Sequence, residues 1–168
     1  MAWTTYGRGN IGKFSVGLTL KHFSALLLAY HLSVNRMFDE TIIPRFSETD
    51  ALGHINNTVV PTWLEQARSP VFRWFVPDLD PQKWCLIIAK IEVEFRREIV
   101  YGQEVRVETY VEEIGNSSFR VGQKIFQADQ LCAQGSSVLV HFDYATKKSK
   151  PIPAPIRQEM EAHLQKKS

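Results

Sequence analysis

Two carboxylates stand close to one predicted helix start. Asp50 lies in a polar, Gly-containing turn that runs from Ser47 to Asn57. Glu65 lies inside the helical stretch that follows, within Trp63-Leu64-Glu65-Gln66-Ala67-Arg68. A helix start offers free backbone N–H groups and the positive end of the helix dipole. A carboxylate beside such donors can attack a carbonyl that they polarise, or activate water against it. The plainer reading of Asp50 is a turn residue that accepts local backbone hydrogen bonds. That of Glu65 is a helix carboxylate pairing with Arg68, worth about 0.2–0.5 kcal/mol on an exposed face. Gly53 lets the loop bend and lets a ligand approach the backbone. His54 is either a polar group of the site or a hydrogen-bonded structural histidine.

The run Thr49-Asp50-x-x-Gly53-His54-Ile55-Asn56-Asn57, followed by Glu65-x-Ala67-Arg68, resembles the signature of hotdog-fold acyl-CoA thioesterases, the 4-hydroxybenzoyl-CoA thioesterase-like family. The likeness spans Phe38 to Ile156. It implies hydrolysis of an acyl-CoA thioester to free coenzyme A and a carboxylic acid. Asp50 would be general base or nucleophile, with His54 and Glu65 as further catalytic candidates. Gly53, Asn56, Asn57 and Thr58 would form the substrate and oxyanion side, with the N–H of Asn57 or Thr58 as donor. A thiol leaves easily near neutral pH, so one carboxylate and an oxyanion site suffice. The resemblance implies no metal or redox cofactor. It implies homodimers joined sheet edge to sheet edge, often homotetramers, with the active site at the dimer interface. The family often carries an aromatic where Val60 stands here, which leaves the wall of the acyl pocket open. Two other readings stand beside this one. A hotdog hydratase or dehydratase uses a Gly-His loop and a helix Glu, although this loop lacks the Pro-rich run that follows the His in that group. A non-catalytic acyl-thioester binding protein is the other.

Lys90, Arg96 and Arg97 cluster on or after one predicted strand and are candidates for the phosphates of coenzyme A, where Arg offers bidentate contacts. Pairing with Glu92, Glu94 or Glu104 across strands is the structural alternative. His141 and Asp143 share a face of the last strand, but no nucleophile elbow accompanies them and no GxSxG motif exists, so an α/β-hydrolase is excluded. The five histidines show no metal-ligand spacing.

The elements that must position these residues fit one domain of 168 residues. A composition 44% hydrophobic and 23% charged is globular. A formal charge of +2, without basic runs, argues against a nucleic-acid partner. Cys85 and Cys132, both in predicted strands and without CxxC spacing, read as unpaired thiols of a reducing, cytoplasmic setting. The apolar stretch from Phe23 to Val34 is too short to span a bilayer, so no integral membrane segment is expected. Residues 1–36 have three readings: sequence upstream of a start at Met37, an ordered N-terminal extension or helix, or a signal peptide without a small-residue cleavage site. The hotdog domain itself is placed at 37–168.

Asp39 to Phe46 reads as a strand, with Pro44 marking an edge or bulge. From Thr58, apolar residues Val60, Trp63, Leu64, Ala67, Val71, Trp74 and Phe75 follow a helical period, capped by Asn57 or Thr58 and kinked at Pro70. The period then changes to two. Ile87 to Phe95 reads as a long half-buried strand, followed by strands over Val105 to Glu112, Phe119 to Ala128 and Leu131 to Ala145, with Gly135 a candidate bulge. Ile156 to Gln165 reads as a short amphipathic helix. Short connections require antiparallel pairing. The fold class is therefore α+β. The hotdog arrangement, an antiparallel sheet of about five strands wrapped round one long central helix, is the packing that fits.

Overall fold

The computed structural model describes residues 36–165. All but the last of residues 1–36 lie outside that range, so the readings of that segment fall outside the described residues. Five strands follow one another across an antiparallel sheet: β1 Phe38–Ile42, β2 Leu86–Phe95, β3 Val105–Ile114, β4 Ser118–Gln127 and β5 Gln130–Asp143. Their order is β1-β3-β4-β5-β2, and a two-residue β6, Lys148–Ser149, pairs with β5. Helices α1 Val60–Ala67 and α2 Ser69–Arg73 cover one face, and α3 Ala154–Ala162 closes the chain. The expected α+β arrangement of a helix held by a curled antiparallel sheet is what forms.

Alternation builds this core. In β3, Val105, Val107, Thr109 and Val111 are buried while Arg106, Glu108, Tyr110 and Glu112 are less so. Phe119, Val121 and Ile125 of β4, with Ala133 and Leu139 of β5, continue the same apolar face. Against it lie Val60, Trp63, Leu64 and Ala67 of α1, at the spacing of one helix stripe.

Gly135, expected as a bulge, is instead paired in regular register with Val93 and Gln123. The register shifts fall elsewhere, between Ile88 and Lys90 in β2, between Val111 and Glu113 in β3 and between Ile125 and Phe126 in β4. What Gly135 provides is space: a Cβ there would meet Leu64 Cδ1 at 2.6 Å, well inside carbon–carbon contact. The missing side chain lets α1 sit down on the sheet.

The kink expected at Pro70 appears as a full break at Arg68, which separates α1 from α2. Pro70 has no N–H for the carbonyl of Gln66, and its ring crowds that carbonyl. Ser69 Oγ donates to Gln66 O at 2.6 Å in its place. The other carbonyls freed at the break are served from the sheet. Gln123 Nε2 donates to Leu64 O at 2.8 Å, and Thr109 Oγ1 donates to Ala67 O at 3.2 Å. These buried polar side chains of β3 and β4 are the reason that a broken helix can be buried at all.

β2 departs from its expectation. It forms over nearly the residues expected, but it is an edge strand and mostly exposed, with Ile88, Ile91 and Phe95 at 42%, 45% and 49%. Cys132 is buried in β5, whereas Cys85 lies just ahead of β2 and is partly exposed, and both are free thiols. Burial raises the Cys85 thiol pKa, an effect that Lys150 partly offsets. Among the described residues no helix is long and apolar enough to cross a membrane.

Candidate active site

The loop between β1 and α1 is a narrow double-backed segment whose arms bond to each other. Asp50 N–H donates to His54 O at 2.7 Å and Asn56 N–H to Glu48 O at 2.8 Å, while Thr49 and Ile55 form a bridge. The returning arm is tied to the sheet's far end. Ile55 N–H donates to Ile99 O at 2.7 Å, and His54 bridges to Val100. Val100 is itself held by both ends of the buried Gln127 amide of β4. Gly53 takes φ +81° at the tip, a left-handed conformation that disfavours any side chain. A Cβ at Gly53 would meet nothing within 4 Å, so conformation and not crowding sets the requirement there.

Asp50 sits where this turn closes. Its Oδ1 accepts from Leu52 N–H at 2.7 Å and from His54 N–H at 3.1 Å. Its Oδ2 has no hydrogen-bond partner among the described residues. One oxygen of the carboxylate thus builds the turn, and the other is left available. The His54 ring does not reach it. Its Nε2 lies 3.3 Å from Glu98 Oε2, on the outer side of the loop.

The helix start differs in detail from the capping expected at Asn57 or Thr58. The N-cap is Val59, without a side-chain cap, and Pro61 falls in the first turn, where a missing N–H costs nothing. Asn56 supplies the side-chain bond, its Oδ1 accepting from Thr58 N–H at 3.0 Å and Thr58 Oγ1 at 2.8 Å. Thr58 N–H is therefore occupied, while Asn57 N–H has no acceptor among the described residues. Of the two oxyanion candidates, the geometry leaves Asn57.

Glu65 is exposed on α1 and makes no side-chain hydrogen bond or ion pair among the described residues. The pairing with Arg68 expected from their spacing does not form. Arg68 turns inward and is fully buried, its Nη1 donating to Ser137 Oγ at 2.8 Å and to Gln123 Oε1 at 3.2 Å. Its Nε and Nη2 find no partner among the described residues. Burial lowers the guanidinium pKa from its usual value, and the field of Glu65 partly offsets that. Of the phosphate candidates, Lys90 pairs with Glu92 at 2.7 Å and Arg96 with Glu94 at 3.0 Å, in both cases two residues away along the same stretch of chain and not across strands. Arg97 makes no such pair among the described residues. No group of three His, Cys, Asp or Glu side chains among the described residues is arranged to hold a metal ion.

The sequence reading passed over Glu48. It is 8% exposed, two residues before Asp50, and its carboxylate accepts from Arg45 N–H, the Arg45 guanidinium and Trp63 Nε1. Burial alone would push its pKa up. The hydrogen bonds from Arg45 and Trp63 outweigh that and hold the carboxyl below its ordinary value. Its one signal in the sequence was an Arg three residues earlier, which on a polar loop is ordinary surface chemistry.

A curled antiparallel sheet holding a helix is the hotdog arrangement. The chain belongs to the thioesterase-like superfamily, whose family model matches residues 44–160. It is similar to a predicted thioesterase from Bacillus stearothermophilus, with 42% identity, 79% of this chain and 100% of that one covered, and a TM-score of 0.77. It is similar to a thioesterase from Thermus thermophilus complexed with coenzyme A and Zn, at 31% identity, 74% and 91% coverage and a TM-score of 0.66. A DHNA-CoA thioesterase from Staphylococcus aureus is 25% identical, with 75% and 87% coverage and a TM-score of 0.64.

Proposed function

We propose that the protein hydrolyses acyl-CoA thioesters, with Asp50 as the central residue. The observation that carries this reading is the division at Asp50, whose Oδ1 is fixed by two backbone N–H groups while Oδ2 is free to act. As general base, Oδ2 takes a proton from water, whose oxygen adds to the thioester carbonyl. As nucleophile, it adds to that carbonyl itself, and water then cleaves the resulting anhydride. In both routes the carbonyl oxygen becomes an oxyanion, which the Asn57 N–H at the helix start stabilises. Collapse expels the coenzyme A thiolate, which takes up a proton. The coenzyme A complex of the Thermus thermophilus relative supports the ligand class.

Glu65 completes the site from a second copy of the chain. The β2 edge offers free backbone groups and three half-exposed apolar side chains for strand-to-strand pairing, and Glu65 lies exposed on α1. A monomer in analytical ultracentrifugation at micromolar concentration would refute this assembly. The reaction is tested by thiol release from a panel of acyl-CoA esters, with Asp50→Asn alongside. Hydrolysis that falls by about two orders of magnitude or more in Asp50→Asn is the expected result. Hydrolysis that survives the substitution refutes the role of Asp50. An unsaturated or hydrated thioester product without free thiol would assign a hydratase instead.

A further inference from the structure

We propose that Glu48 is the positioning residue of this site, a buried carboxylate clamp that sets Asp50 against the start of α1. The inference rests on the thioesterase reading for its catalytic consequence, but the clamp itself is a matter of geometry. Three separate pieces of chain converge on Glu48. From the incoming arm, Arg45 N–H donates to Oε2 at 2.7 Å, and the Arg45 guanidinium donates to Oε1 at 2.9 and 3.2 Å. From the returning arm, Asn56 N–H donates to the Glu48 carbonyl at 2.8 Å. From the helix, Trp63 Nε1 donates to Oε1 at 3.2 Å, with the indole 2% exposed and packed in the core. Asp50 lies two residues beyond this junction, and Asn57, the oxyanion candidate, one residue beyond Asn56. The backbone ladder spaces Asp50 from Asn57, and the Glu48 carboxylate anchors that ladder to Arg45 and to the Trp63 indole of the helix.

The chemistry of the junction requires a carboxylate. Every group facing it is a donor, and ionised Glu accepts only. Gln has one acceptor oxygen, and its amide N–H groups would face either Arg45 N–H at the Oε2 position or the Arg45 guanidinium and Trp63 Nε1 at the Oε1 position. A buried charge is costly unless it is paired and hydrogen-bonded, and this one is both. A loop that merely had to fold would not need it, because the arm-to-arm backbone bonds already close the turn. The returning arm is joined to the helix start by Val59 N–H, which donates to Asn56 O at 2.9 Å. The incoming arm is joined to the helix by the Glu48–Trp63 bond.

The test is a cycle of Glu48→Gln, Trp63→Phe and the double substitution. Each is assayed for thiol release well below its unfolding temperature and for amide hydrogen exchange. Trp63→Phe keeps a buried ring and deletes the Nε1 donor. The expected result is a loss in kcat of about 10- to 100-fold in Glu48→Gln with KM little changed, because a misplaced group costs the reaction more than it costs binding. The double substitution should lose no more than Glu48→Gln alone. Exchange at the Leu52, His54 and Asn56 amides should quicken about tenfold or more while β3–β5 amides stay protected. Wild-type kcat in a folded Glu48→Gln protein overturns the proposal, and so do losses that simply multiply across the cycle. If no ester is hydrolysed even by the wild type, the thioesterase reading fails, and the exchange data alone decide the clamp: unchanged loop amides in Glu48→Gln would overturn it.

Discussion

Under the proposed function Asp50 does two jobs with its two oxygens, and paired substitutions separate them. In Asp50→Asn the amide oxygen can still accept from Leu52 and His54 N–H, at 2.7 and 3.1 Å in the native loop, so the turn survives while the charge goes. In Asp50→Ala both acceptors go and two backbone N–H groups lose their partner. A net hydrogen bond contributes about 0.5–1.5 kcal/mol, and the loop is partly solvated, so the lower half of that range applies. Asp50→Asn should therefore cost about 0–1 kcal/mol and Asp50→Ala about 1–2 kcal/mol, set by the two lost bonds. For a domain of this size each kcal/mol moves the midpoint by about 2–4 °C, so the Ala variant should melt roughly 2–8 °C lower and the Asn variant close to wild type. Thermal or urea unfolding reads the first job, and thiol release on the same samples reads the second. Stability should follow the oxygen and activity the charge, with both variants inactive. Asn and Ala variants that melt together would refute the turn role. Hydrolysis retained in either variant would refute the catalytic one.

Two further outcomes follow from the buried polar groups. Gln123→Leu removes the donor to the Leu64 carbonyl and to Thr109 Oγ1, and the acceptor for the buried Arg68 guanidinium. Three such losses should total about 3–5 kcal/mol in urea unfolding, and a cost under about 1 kcal/mol would show that the broken helix does not depend on the sheet's side chains. His163 is buried against Phe38 and Trp74, and burial first of all holds its pKa below the ordinary histidine value, with Glu159 opposing. The unfolded chain therefore takes up this proton at higher pH than the folded one. The contribution of His163 is complete above about pH 6.5 and is lost as pH falls from there through the folded value, by at most about 1.4 kcal/mol per unit. Unfolding free energies measured from pH 5 to 8 should show a shallower acid decline in His163→Phe, and parallel curves would refute the assignment.

What was legible in the sequence was whatever rests on a short-range period or a local steric rule. The alternation in Val105, Val107, Thr109 and Val111 gives β3 and its buried face directly. The apolar stripe from Val60 to Phe75 gives the helix, and Pro70 gives its break, because a missing N–H is a property of one residue. What was not legible depends on partners far along the chain. Gly135 reads as a bulge until Leu64, from a distant part of the chain, is seen above it. Glu48 reads as a surface carboxylate until the Trp63 indole is seen to point at it. Arg68 reads as the partner of Glu65 until Gln123 and Ser137 draw it inward. In each case local chemistry proposes the nearer partner and the tertiary fold supplies another.

β2 shows the remaining kind of illegibility. Its period-two pattern is as regular as that of β3, and in β3 the pattern is satisfied within the chain. In β2 the charged set, Lys90, Glu92, Glu94 and Arg96, is paired on the outer surface as the pattern requires. The apolar set is not satisfied. Val93 packs on the core, but Ile91 and Phe95 on the same face stay nearly half exposed. Apolar surface left in water forgoes about 25 cal/mol per Å², and the unpaired backbone groups of an edge strand can take another strand. A pattern written for burial that one chain leaves unburied records a burial that a second chain supplies, under the assembly proposed above. The same holds for Glu65, which has no side-chain partner among the described residues and is exposed on the helix. A single chain places Asp50, its turn and its clamp, and leaves the second carboxylate facing outward, which is where a site shared between two copies would need it.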